Sequence, residues 1–190
     1  MPATLPEIMD IAGLHADPRF GRLLSYIAGK RGENRWAART DIDPSDIPML
    51  LPNIWIIEVD RRPLSSDTTR LRVRLAGTQV ERIYGRSLAG EYLENLDWGQ
   101  HSGRILASLN RMVDQGEGHF LDASAHIQPR LSRRVRRVGL PLSDDRERVS
   151  HLLLLAYYEF IAGQPDHFRE LWLSAEETGR APQAVLNDGS

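Results

Sequence analysis

The chain has 190 residues, enough for one hydrophobic core that removes about 70% of the unfolded surface from water. Its 41% hydrophobic and 26% charged residues exclude a disordered or fibrous protein, and a formal net charge of -2 sets up no global field toward nucleic acid or an anionic membrane. The absence of cysteine excludes disulfides, thiolate catalysis and sulfur-ligated zinc.

Among the 24 basic residues only Lys30 is lysine, a bias that a high-GC genome explains more cheaply than a binding function does. The opening "MPATLPEIMDIAGL" carries acids where a secretory signal needs basic residues. No run approaches the roughly 20 apolar residues of a membrane helix. The expectation is a cytoplasmic, bacterial-type protein with no membrane segment.

Residues 1–16 show no strong period. In "DPRFGRLLSYIAGKRG", Asp17 offers an N-cap and Pro18 a first helical residue. Phe20, Leu23, Leu24 and Ile27 then fall at i, i+3, i+4 and i+7, an apolar stripe that ends near Gly29 and Gly32. Asp43 before Pro44 repeats the cap-then-proline signal, so "PSDIPML" reads as a short helical turn closed by Pro52. The following "NIWIIEV" is β-branched and apolar on both faces, as a strand covered on two sides would be.

"TRLRVRLAGT" alternates strictly, which predicts Leu71, Val73 and Leu75 on a buried face and Arg70, Arg72 and Arg74 on an exposed one. The turn formers in "RRPLSSD" join it to the preceding strand as a hairpin. In "TQVERIYGRSLAGEYLENL", Val80, Ile83 and Tyr84 share one side of a short helix that Gly85 can stop, with Gly90 breaking the next. "GQHSGRILASLNRMVDQGEG" places Ile105, Leu109 and Met112 along the longest internal helix, which ends at Gly116. Three strands follow in "HFLDASAHI", "RRVRRVGLPL" and "VSHLLLLAYYEF", the last two joined by the turn "SDDRE". "QPDHFRELWLSAEETG" has Phe168, Leu171, Trp172 and Ala175 at helical spacing, and residues 179–190 read as a loose tail.

Two strands, short helices, one longer helix and three strands form the element order of a PAS domain. The passage "RLAGTQVERIYGRSLAGEYLENL" resembles the PAS stretch in which the second strand runs into a short helix, an aromatic-glycine stop and a second glycine before a Leu-rich turn. With "RTDIDPSDIPMLLPNIWIIEVD" upstream and "VGLPLSDD" downstream, residues 20–160 resemble a stand-alone PAS-like branch found mainly in alphaproteobacteria. Arg146 departs from it, standing where that branch usually has glycine after the paired aspartates.

The resemblance implies an α+β fold, a five-stranded antiparallel sheet in the order 2-1-5-4-3 with helices across one face. Flanking N- and C-terminal helices complete it, giving segments 1–33, 34–162 and 163–190. It also implies a role in sensing or signalling. The apolar N-terminal helix is the natural cover for the sheet's second face.

Chemistry-bearing residues are sparse. The 6 histidines form no HxxxH or HxH pair with an acid in register, and His119 and His126 fall on opposite faces of one strand, so no metal or haem is expected. His101 sits near the start of the long helix, where some PAS proteins carry a haem ligand nearby. Asp144 with Asp145 reads as a turn rather than an acid-base pair, as Glu58 with Asp60 reads as strand-end solvation. Ser150 and His151 lack a GxSxG elbow, which leaves no catalytic constellation.

The arginine run Arg133 to Arg137 splits between two strand faces and reads as a solvated hairpin arm, with Arg134 and Arg136 as a candidate surface for an acidic partner. Trp55, Tyr84, Leu109 and Met112 are the candidate ligand-pocket residues between sheet and helices, or simply its packing. The reading is a non-enzymatic sensory module that binds a small molecule, a signalling partner, or both. A structural dimerisation adaptor and an enzyme on a PAS-like sheet are the alternatives. A homodimer is expected through the helix from Asp17 to Gly29 or through the C-terminal helix carrying Trp172. No nucleic-acid partner is expected.

Overall fold

The computed structural model describes residues 7–61, 70–128, 131–160 and 166–178, with the side chains of 126–128, 131 and 132 outside the description. Its strands are β1 (Ile54–Asp60), β2 (Arg70–Ala76), β3 (Gly118–Gln128), β4 (Leu131–Leu142), β5 (His151–Phe160) and β6 (Phe168–Leu173). They form one sheet in the order β2-β1-β5-β4-β3-β6, every neighbouring pair antiparallel. The implied order 2-1-5-4-3 is present, with a sixth strand added at the β3 edge. The loop of the expected β1–β2 hairpin, residues 62–69, and the tail from 179 lie outside the described residues.

Helices cover both faces. α1 (Ile11–Ala16) starts at Asp10, whose carboxylate accepts the Gly13 N–H at 2.7 Å, and its six residues are too few for a visible period. α2 (Phe20–Arg31) is set up by Asp17, which accepts the N–H groups of Arg19 at 2.9 Å and Phe20 at 3.4 Å. The helix ends at Gly32, whose φ of 56° is in the left-handed region. Its stripe of Phe20, Leu23, Leu24 and Ile27 is buried against Ile54, Ile56, Phe120 and Leu153 of the sheet. At Gly21 a side chain would collide with the His15 carbonyl, so glycine is what lets α1 and α2 close together.

On the opposite face lie α3 (Thr78–Tyr84) and α4 (Ser102–Gln115), closed by Gly85 and Gly116 in left-handed conformations. Val80, Ile105, Leu109 and Met112 pack there with Trp55, Ile57 and Val59. Strand β1 therefore feeds both cores, Ile54 and Ile56 to one and Trp55 and Ile57 to the other, which is why its sequence lacks a polar face.

Three expectations need correction. The C-terminal segment is the strand β6, not a helix: Phe168 and Trp172 face the α4 side, while Leu171 and Leu173 face the α2 side. Alternation in β2 holds only in part. Leu71 and Val73 are buried, but Leu75 is 44% exposed. Ile56 pairs with Leu75 and Ile57 with Val73, so Arg74 is an extra residue, a bulge that turns Leu75 outward and brings Ala76 onto the core. Finally, the run Arg133 to Arg137 does split between faces but is no solvated arm, since Arg133, Arg136 and Arg137 are all buried.

Candidate functional site

The inner face of the sheet, α3 and α4 do not close completely. Between them lies a cleft of about 400 Å³, part of it open to solvent, walled by Trp55 of β1, Tyr84 of α3, Trp98 and Ile105. Its floor is β3 and β4, where Leu121, Ala123 and Ala125 face Val135 and Arg137, and Tyr158 of β5 completes it. Short alanine side chains on β3 leave space that larger ones would fill.

The aromatic wall is set by edge-on packing: Trp55 and Tyr84 are 5.5 Å apart at 88°, and Tyr84 and Trp98 6.4 Å apart at 76°. Trp98 is anchored by its indole N–H, which donates to the Leu93 carbonyl at 2.9 Å. The Trp55 indole nitrogen and the Tyr84 hydroxyl are buried against the Tyr158 hydroxyl and have no other hydrogen-bond partner among the described residues. Burial raises the Tyr84 phenol well above its usual value and pushes Tyr158 up to about 12, so both remain protonated donors at neutral pH.

Arg137 is the cleft's cation. It is 3% exposed, and its Nε and Nη2 have no hydrogen-bond partner among the described residues. Burial lowers the guanidinium to about 10, leaving it charged at neutral pH. Its field and that of Arg111, after the larger effect of burial, hold His119 down at about 3, so that imidazole is neutral. His119 stacks on Trp172 with ring centres 4.4 Å apart, and Glu170 stands 3.5 Å from its Nε2.

A family model described as PAS domain matches residues 17–155. The chain belongs to the PAS domain family. PAS domains are in general sensory and regulatory modules, and the cleft lies between the sheet and helices of this one. Among solved structures the chain is similar to a single-substitution variant of RsLOV, with 13% identity and a TM-score of 0.42, covering 60% of this chain and 66% of that one. The similarity thus spans just under two thirds of the RsLOV chain. No curated protein matches.

Of the sequence-predicted pocket residues of this PAS domain, Trp55 and Tyr84 line the cleft. Leu109 and Met112 are fully buried beside it, within the core packing of α4. Met112 reaches the sheet at Gly139, where an added Cβ would lie 2.8 Å from its Cε. The residues that sequence reasoning missed are Trp98, Arg137 and Tyr158. Arg137 was masked by its run of arginines, and only the pairing of β4 with β3 and β5 shows that it points inward.

The partner-surface candidates fare differently. Arg134 forms a fork on Asp122, at 2.7 Å and 2.5 Å, with its side chain 22% exposed. Arg136 is 2% exposed and ion-paired with Glu159, so it offers no surface to a partner.

A second polar grouping lies at the β4–β5 turn. Ser150, His151 and Asp144 do meet: the Ser150 hydroxyl is 3.0 Å from His151 Nδ1 and 3.1 Å from an Asp144 oxygen. In a relay the imidazole would bridge acid and nucleophile through its two nitrogens. Here Asp144 also lies on Nδ1, at 3.3 Å, and its backbone N–H donates to the Ser150 hydroxyl at 3.1 Å, the pattern of a turn that ties itself together. His101 stacks on Phe168 and approaches Asp166 at 3.3 Å. No group of three or more metal-ligating side chains occurs among the described residues, and no helix there is long and apolar enough to cross a membrane.

Proposed function

We propose that this PAS domain is a non-enzymatic sensory module that binds a small molecule in the cleft bounded by Trp55, Tyr84, Trp98, Arg137 and Tyr158. Occupancy is passed to a protein partner on its outer surface. The observation that carries this reading is the cleft itself, an aromatic-walled space that contains polar groups with unmet hydrogen-bonding capacity. A guest that meets those groups favours the arrangement of α3, Trp98 and α4 that holds it, and differential affinity is the only means by which binding can shift a conformational equilibrium.

Self-association through α2 gains no support, because the stripe that suggested it is spent inside the chain. The test is native mass spectrometry of the purified protein against its denatured mass, with thermal melts across a metabolite panel. Ala123→Leu, which fills the floor of the cleft, serves as the control. The wild type is expected to show excess mass or a ligand-dependent rise in melting temperature that the filled variant lacks. No excess mass and no shift with any metabolite would sink the ligand-binding reading.

A further inference from the structure

The neighbours of Arg137 in its own run are all accounted for. Arg134 holds Asp122, Arg136 holds Glu159, and Arg133 lies 3.9 Å over the Phe160 ring. The acid whose field reaches Arg137 is Glu170, but that carboxylate accepts the Ser108 hydroxyl at 3.2 Å and faces His119. A buried cation with no counter-charge destabilises a fold, and a well-packed apolar residue in its place would relieve that. Arg137 thus has the character of half of a pair whose other half is not among the described residues.

The chemistry of that other half follows from what surrounds the guanidinium. The polar atoms of the cleft are the Arg137 N–H groups, the Trp55 indole N–H and the Tyr84 and Tyr158 hydroxyls, a set in which each can donate. The rest of the lining is Trp98, Ile105, Leu121, Ala123, Ala125 and Val135, which asks for an apolar body. One guanidinium neutralises one negative charge, and its planar fork matches two oxygens of a carboxylate. Phosphate presents the same fork of oxygens but brings a second charge into an apolar space that holds no second cation.

We propose that the cleft binds a small organic monocarboxylate, its carboxylate on Arg137 and its apolar body against Trp55, Trp98 and Ile105. This deepens the sensory reading above and rests on it.

The probes are sodium propionate and sodium benzoate, each against its neutral amide, with inorganic phosphate as a further arm. They are scored by calorimetry and by thermal melts on the wild type, Arg137→Met and Arg137→Lys. The acids are expected to bind and raise the melting temperature while the amides and phosphate do not. Arg137→Met is expected to weaken acid binding about 10–100-fold, the loss of charge-assisted hydrogen bonds. Without acid it should melt higher than the wild type, because a buried charge has been replaced by an apolar chain of similar length.

Arg137→Lys, which keeps the charge and loses the fork, should still prefer acid to amide with reduced affinity. If Arg137→Met does not fold, the wild-type comparison of acid with amide and the lysine variant decide the matter. Amides that bind as well as the acids, or an acid response that survives in Arg137→Met, overturn the carboxylate assignment and leave the cleft as a ligand site of other chemistry. Phosphate binding that depends on Arg137, without acid binding, overturns it in favour of phosphate. A wild type unmoved by every acid overturns it too, and excess native mass or a metabolite shift then shows whether the broader reading survives.

Discussion

Arg146 sits at φ 64°, the left-handed region that glycine enters freely and an L side chain enters at a cost. What holds it there is its own side chain, which donates to the Trp36 carbonyl and to an Asp41 oxygen, each at 2.9 Å, tying the β4–β5 turn to the segment before β1. The positive φ at Arg146 is therefore strain accepted in exchange for two tethers. Arg146→Ala keeps the strain and loses the tethers, whereas Arg146→Gly loses the tethers and relieves the strain. Urea unfolding should place the glycine variant about 1 kcal/mol above the alanine variant. An alanine variant as stable as the glycine one would mean that no strain is stored at this position. The turn was legible in the paired aspartates, and Asp145 indeed accepts the N–H groups of Glu147 at 2.9 Å and Arg148 at 3.0 Å. What the chain alone could not reveal was the far end of Arg146, because its partners lie 105 and 110 residues away.

At the level of elements, the long or strongly patterned ones were readable because a single period accounts for them. The α2 stripe and the two apolar faces of β1 are examples. Short elements were not, because six residues satisfy two periods at once. Phe168, Leu171, Trp172 and Ala175 have helical spacing, yet Phe168, Glu170 and Trp172 also alternate with Arg169, Leu171 and Leu173, and only the open edge of β3 selects the strand. The β2 bulge hides in the same way, since strict alternation in the letters gives no sign of an unpaired Arg74. A pair of identical substitutions tests the bulge. Val73→Asp puts an unpaired charge in the core and should cost about 3 kcal/mol or more. Leu75→Asp, two residues along on the face that alternation would also bury, should cost no more than about 1 kcal/mol. Equal losses in chemical denaturation would show that the strand is regular and that Leu75 belongs to the core.

For the whole molecule, the second helical layer decides how the chain can be divided. The apolar stripe of the helix from Asp17 onward suggests a dimer surface, yet Phe20 meets Phe120 and Tyr157 edge-on at 5.6 Å each, and Leu23, Leu24 and Ile27 are at most 3% exposed. Burying a side chain of this size contributes about 1.5–3 kcal/mol, so these four residues together carry about 6–12 kcal/mol. That is comparable with the roughly 5–15 kcal/mol by which a whole domain is stable. Removing the layer would also leave Ile54, Ile56, Val138, Leu140, Leu153 and Leu155 facing water as one continuous apolar patch, large enough to drive association. A chain beginning at Asn34 is therefore expected to aggregate or to lose cooperative unfolding, not to become a well-folded monomer. Light scattering together with near-ultraviolet circular dichroism distinguishes the outcomes. A soluble, cooperatively melting product half the size of the parent assembly would show that α2 joins two copies, and that its place on this sheet is not what stabilises the fold.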